Sequence, residues 1–190
     1  MSARLFVVSG PSGVGKGTLI ARVREGMPEL AVATSATTRK PRPGETDGRE
    51  YHFLTPAEFD RRVEGGEFLE HVSYAGNRYG TLRSEVDRRL ANGESVVLEI
   101  EVVGAGEIKR QVPRAVLVFV APPTIADLEH RLRGRATDSP DEVERRVEIA
   151  RGEMNRQPEF DFTITNDDID RAAAELADLM RTAMTATEES

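Results

Sequence analysis

The chain has no cysteine among its 190 residues. That absence excludes disulfides, thiolate metal sites and cysteine nucleophiles, and it fits a protein of the reducing cytoplasm. Only three histidines occur, His52, His71 and His130, and none has the partner spacing of a metal site. Long hydrophobic runs are missing as well. The apolar stretch nearest the N-terminus, Leu5-Phe6-Val7-Val8, leads straight into a glycine-rich segment, so it reads as a buried strand and as neither a signal peptide nor a membrane span. Positive charge is in deficit, with 26 Lys and Arg against 33 Asp and Glu and a formal net charge of −7. This balance argues against a general nucleic-acid binder and leaves any phosphate ligand to a local cluster of cations. The length suits one large domain, or a core with insertions, around a substantial apolar interior.

The positive feature that stands out is Gly10-Pro11-Ser12-Gly13-Val14-Gly15-Lys16-Gly17-Thr18, set between that apolar strand and a helical stretch opening at Leu19-Ile20. Glycines let successive backbone N–H groups curl into one concavity beside the positive end of a helix, and Lys16 adds a mobile point charge. The order of strand, glycine loop and helix makes this a nucleotide-phosphate cradle. It follows G-x-x-x-x-G-K but has Gly17 where a Ser or Thr usually follows, with the hydroxyl one residue later at Thr18. Adjacent helical residues point about 100° apart, so Thr18 cannot simply replace that hydroxyl.

Periodicity predicts strands over 4–9, 31–34, 95–100, 115–120 and 160–165 and helices over 16–26, 56–63, 84–92, 124–132, 141–156 and 169–184. Strands alternating with helices imply an α/β fold with a mostly parallel sheet. Residues 36–53 carry little apolar periodicity and are punctuated by Pro and Gly, as expected of an insertion carrying chemistry. Within them Arg39 and Arg42, near Tyr51, could clamp one phosphate by charge-assisted hydrogen bonds. A solvated basic loop is the plain alternative, but beside a phosphate cradle the cluster suggests a second phosphate site. Two such sites suit the passing of a phosphoryl group between nucleotides.

The segment Ser35-Ala-Thr-Thr-Arg39-Lys-Pro-Arg42-Pro-Gly-Glu45, continuing to Gly48-Arg-Glu-Tyr51-His-Phe53, resembles the signature of guanylate kinases. Phe68-Leu69-Glu70, Arg78-Tyr79-Gly80-Thr81, Leu98-Glu99-Ile100-Glu101, the 131–135 run Arg-Leu-Arg-Gly-Arg, and Ile164-Thr165-Asn166-Asp167-Asp168 follow in the family's order, so the likeness covers about residues 4 to 180. It implies a P-loop NTPase fold, an α/β parallel-sheet core flanked by helices. The core would comprise residues 1–34, 84–124 and 158–190, with a GMP-binding region at 35–83 and a lid with flanking helices at 125–157. The activity implied is transfer of the ATP γ-phosphate to GMP and dGMP, with magnesium, in purine nucleotide metabolism, by a protein that needs neither nucleic acid nor membrane.

The resemblance also implies roles for particular residues. ATP would be held by Gly10 through Thr18 together with Arg131, Arg135 and Asn166, the last against adenine. Arg39, Arg42, Tyr51 and Tyr79 would hold the GMP phosphate, and Ser35, Glu70 and Thr81 would read guanine. Glu99 and Glu101 would lie near the guanosine, the magnesium or its waters, both facing one way from a single strand. Lys16, Arg39, Arg135 and Arg146 would carry catalysis, whereas Arg133 and Arg145 are expected to be ordinary surface charges. Asn166 also suits a helix cap, alone or with Asp167 and Asp168. The Gly-Lys-Gly-Thr form resembles adenylate kinases, which implies magnesium held through phosphates and water with no direct protein ligand. Two other readings stay open from the residues: a non-catalytic binding module of the same fold, disfavoured by Lys16 and the lid arginines, and a kinase for another phosphorylated acceptor, disfavoured by Glu70 and Thr81.

Overall fold

The run Leu5–Ser9 forms β1, buried at every residue, and passes through the glycine loop into α1, Lys16–Gly26. Short strands β2, Ala31–Val32, and β3, Ala36–Thr37, follow. Beyond the Pro/Gly-rich segment come β4, His52–Phe53, and α2, Pro56–Glu64. A capping box starts α2: the Thr55 hydroxyl accepts from the Glu58 N–H while the Glu58 carboxylate accepts from the Thr55 N–H. Strands β5, Phe68–Tyr74, and β6, Asn77–Leu82, lead to α3, Arg83–Ala91. Then come β7, Val96–Glu99, α4, Val102–Gln111, β8, Val116–Ala121, and α5, Ile125–Arg133. Helix α6, Pro140–Met154, strand β9, Phe162–Thr165, and α7, Ile169–Thr185, complete the chain. This computed structural model describes residues 2–74, 76–133 and 140–186.

Five strands form one all-parallel sheet in the order β2-β7-β1-β8-β9. Both of its faces are covered, which is why its strands read as unbroken apolar runs. One face packs Phe6, Val8, Val97, Val118 and Val120 against α1, α5, α6 and α7 through Leu19, Leu128, Val147 and Leu176. The other packs Leu5, Val7, Leu98 and Leu117 against Val86 and Ile108 of α3 and α4. At roughly 1.5–3 kcal/mol for each fully buried large aliphatic side chain, these two layers dominate the stabilisation of the core.

A separate four-stranded sheet, β4-β3-β6-β5, lies wholly within residues 36–82. It has its own small cluster, Ala36, Phe59, Phe68 and Leu82, with the Phe59 and Phe68 rings stacked at 4.5 Å. The β5–β6 hairpin and α4 are elements that the sequence pattern did not disclose. Glu101 is corrected from the strand to the residue before α4: β7 stops at Glu99, and Glu101 is the N-cap of the helix.

Candidate active site

A cleft of about 560 Å³ joins the glycine loop to the second sheet. Ser12, Gly13, Gly15, Lys16, Gly17 and Thr18 line it together with Ser35, Tyr51, Glu70, Val72, Tyr79, Gly80, Glu99, Ile100 and Glu101. Segments far apart in the chain thus meet at the carboxyl ends of β1 and β7, where open parallel sheets bind ligands.

The loop is shaped by steric necessity. Gly10 has φ +144°, and a Cβ there would stand 2.2 Å from the Val120 carbonyl oxygen, so no side chain fits without moving β8. Lys16 is only 8 % exposed, and its Nζ donates to the carbonyls of Gly10 at 2.7 Å and Pro11 at 3.3 Å. Those bonds offset the cost of withdrawing an ammonium from water. Behind the loop, Asn166 Nδ2 donates to the Val14 carbonyl at 2.8 Å, and Arg131 donates to the carbonyls of Val14 at 3.3 Å and Asn166 at 2.9 Å. Neither side chain is part of the cleft lining; both brace the loop. The cap of α7 is Asp168, whose carboxylate accepts from the Arg171 N–H, so capping does not fall to Asn166.

From α6, Arg146 Nη2 donates to the Ser12 hydroxyl at 2.8 Å, bringing that helix onto the loop. Arg133 pairs instead with Glu129 on its own helix, and Arg145 is exposed. Arg135 lies outside the described residues.

On the opposite side, a register shift between Phe68 and Glu70 opposes Glu70 to Thr81 across β5 and β6. This bulge lets three successive side chains take three destinations. Phe68 enters the small cluster, Leu69 the main core, and Glu70 the cleft. Glu70 is 7 % exposed, and its Oε1 accepts from the Thr81 hydroxyl at 2.8 Å. Burial pushes its carboxyl above the ordinary range, opposed by hydrogen bonds from Thr81, while Glu101 adds to the rise. Thr81 is fully buried and holds Glu70 without lining the cleft itself. A further residue, not singled out by sequence, controls this contact: a Cβ at Gly104 would stand 3.0 Å from Glu70 Oε2. The absence of a side chain there lets α4 approach the carboxylate.

Arg39 forms a two-pronged pair with Glu45, Nη1 to Oε2 at 3.0 Å and Nη2 to Oε1 at 2.8 Å. Its guanidinium lies 5.4 Å from the Tyr51 ring centroid and 5.8 Å from that of Phe53. The fork is therefore oriented by charge and by aromatic faces together. Hydrogen bonding by Arg39, reinforced by the Arg42 N–H at 2.7 Å, holds the Glu45 carboxyl below its usual range. Tyr51 and Tyr79 meet edge to face at 6.0 Å, while Arg42 is exposed at the edge of this region.

Glu99 faces the start of α1. Burial raises its pKa, Lys16 pulls it down, Glu101 adds to the rise, and the Gly17 N–H favours the charged form. A Cβ at Gly17 would stand 3.1 Å from Glu99 Oε2, so the missing loop side chain leaves the space this carboxylate uses. No group of three or more His, Asp or Glu side chains among the described residues is placed to hold a metal.

The guanylate kinase family model matches residues 2–183. A guanylate kinase of Frankia casuarinae is 53 % identical over 176 residues, covering 93 % of this chain and 96 % of that protein. A guanylate kinase of Rubrobacter xylanophilus is 49 % identical over 178 residues, covering 94 % of this chain and 93 % of its own. Among solved structures, guanylate kinase from Anaplasma phagocytophilum superposes with a TM-score of 0.76 at 26 % identity, covering 98 % of this chain and 88 % of that one.

Proposed function

The chain belongs to the guanylate kinase family and transfers the γ-phosphate of ATP to GMP, giving ADP and GDP; from that premise we propose how its own residues divide the work. The carrying observation is the single cleft in which the glycine loop and the buried Glu70 carboxylate, held from behind by Thr81, face one space. Three parts cooperate: a core of residues 1–34, 84–124 and 158–190, a GMP region at 35–83, and a lid at 125–157.

On the donor side, the loop N–H groups cradle the ATP phosphates and Lys16 exchanges its loop carbonyls for phosphate oxygens. Arg131 and Asn166 hold the loop's shape, with Asn166 beside adenine, and Arg146 and Arg135 bring positive charge from the lid. On the acceptor side, Arg39, Arg42, Tyr51 and Tyr79 hold the GMP phosphate. Glu70 accepts from the N1–H and N2–H of guanine, and Ser35 reads its outer edge. Adenine has no N1–H to give the carboxylate, and each buried polar group left unpaired costs roughly 1–3 kcal/mol.

A GMP phosphate oxygen forms the new bond to the γ-phosphorus as the bond to the β–γ bridging oxygen breaks and ADP departs. That oxygen is already anionic, so no general base is needed, and positioning with charge neutralisation carries the step. Glu99 and Glu101 are therefore not bases. They supply hard oxygen acceptors beside the phosphate loop, a donor set suited to a hydrated magnesium ion held through substrate phosphates. The ion would supply charge neutralisation at the phosphates. Lid closure over both substrates would exclude the water that could otherwise hydrolyse ATP.

A coupled assay offering ATP with GMP, dGMP, AMP, CMP or UMP tests the base assignment; turnover should be confined to GMP and dGMP, and comparable use of AMP would refute it. Arg146→Ala is expected to lower kcat more than it raises KM for GMP, because its charge acts in the closed complex. Arg133→Ala, which loses only a pair with Glu129 on its own helix, should stay near wild type. Equal losses in both would mark the arginines as a general electrostatic funnel.

The loop hydroxyls are separable in the same way. Thr18→Ala should weaken ATP binding and turnover. Gly17→Ser should leave activity intact, since the atom it crowds is the movable end of Glu99, and a hydroxyl there could donate to that carboxylate. Activity titrated against free Mg²⁺ at fixed MgATP measures both, and unchanged ATP kinetics in Thr18→Ala would remove Thr18 from the donor site.

A further inference from the structure

Helix α6 touches the phosphate loop at a second place. Glu153 lies seven residues after Arg146, almost two full turns, so both side chains leave the same face of the helix. Arg146 donates to the Ser12 hydroxyl at 2.8 Å, and the Ser12 backbone N–H interacts with the Glu153 carboxylate. The lid-side helix thus meets one loop residue through both its side chain and its main chain. Glu153 Oε2 is buried and has no hydrogen-bond partner among the described residues, an arrangement that is costly for a charged oxygen and mild for a protonated one.

We infer that Glu153 is a positioning residue for phosphoryl transfer, holding Ser12 from the lid-side helix and taking up a proton when the ATP phosphates enter the loop. The charges around it come from several elements. Lys16 on α1 attracts its negative form, Glu101 before α4 repels it, and Arg156 beyond the end of α6 attracts it. Arg156 is itself tied to Glu159 at 2.7 Å, and Arg146 is engaged with Ser12. Lys16 is the counter-charge that substrate phosphates would draw away. Burial first, and Glu101 second, already push the Glu153 carboxyl up to about 7.

The sign follows. A polyanion in the loop disfavours the carboxylate, so ATP binds more tightly to the protonated form, and affinity falls as pH rises through the range above about 7. Glutamine keeps an oxygen to accept the Ser12 N–H and carries no charge, so Glu153→Gln is a permanent copy of the protonated state.

This inference rests on reading the glycine loop as the ATP site, and the test separates the two. ATP is titrated calorimetrically into the wild-type protein and Glu153→Gln, with Mg²⁺ and without GMP, at pH 8 in buffers of different ionisation heat. The wild type should take up more protons than Glu153→Gln, and the difference cancels any proton exchanged by ATP itself. Between pH 6.5 and 8.5 the wild-type Kd should rise by about three- to tenfold relative to the variant, within the tenfold-per-unit limit of a single proton. Glu153→Ala, which cannot accept from Ser12, should lower kcat at every pH, with Glu153→Gln restoring it at pH 8. Equal proton uptake and parallel Kd profiles would overturn the inference alone. Absence of ATP binding to the wild type would overturn the donor-site reading beneath it.

Discussion

Lys16→Met should give a folded protein whose kcat is lower by about three powers of ten, because the charge facing the phosphates at the moment of transfer is gone. Methionine retains much of the stem's bulk, and the site is nearly closed to solvent. The lost contacts are two bonds to the carbonyls of Gly10 and Pro11. The loop is otherwise braced by Asn166 and Arg131 on Val14 and by Arg146 on Ser12, so the chain should keep its shape. Steady-state kinetics with a thermal melt distinguishes the outcomes. A folded variant with near wild-type turnover would show that Lys16 does not serve the transferred group.

Glu70→Ala should lower kcat/KM for GMP by roughly two powers of ten or more while leaving ATP affinity little changed, since two donors of the base lose one acceptor. The Thr81 hydroxyl loses its acceptor in the same change, so Glu70→Gln provides a comparison that retains an oxygen for it. Glutamine then presents an N–H₂ group toward base donors and should also fail with GMP. An equal fall in ATP affinity would make Glu70 a support of the fold. The raised carboxyl adds a pH signature. A carboxylate pushed up by burial is lost at a less acidic pH than an exposed one, so kcat/KM for GMP should decline on the acid side earlier than an ordinary glutamate would allow.

The donor half of the site was legible because its determinants are contiguous: a buried strand, a loop of glycines and Lys16 within residues 5–18. Helix α1 ends at Gly26 as read, and the apolar strands of the parallel sheet announced themselves by lacking a wet face. The acceptor half was legible mainly through family resemblance. The bulge at Phe68–Glu70 sends neighbouring side chains to different places, which destroys the period-two pattern by which a strand is recognised. Helix α4 opens with Val102-Val103-Gly104-Ala105-Gly106, a poor helical sequence on propensity alone. Tertiary packing prevails there, and Gly104 is needed where the helix meets Glu70. The sequence places Glu101 on the strand because the apolar run extends through Ile100, whereas the backbone has already turned toward α4. Glu153 carried no local signal, being one acid among several in a charge-rich helix; only its proximity to Ser12 distinguishes it.

The position of β1 also governs how the protein comes off the ribosome. Its first residues pair with partners that are made much later, Leu5 with Val96 and Phe6 with Val116. The hairpin closing at Tyr74 and Asn77 needs no such wait, and its sheet is complete by Leu82. Assembly during synthesis therefore runs from the middle outward, with the four-stranded sheet formed while the apolar strand β1 remains without either neighbour. At about 5–20 residues per second, that strand stays unpaired for roughly 5 to 20 seconds. During that interval Leu5-Phe6-Val7-Val8 is an exposed apolar segment, and the glycine loop attached to it receives its braces from Arg131 and Asn166 only later still.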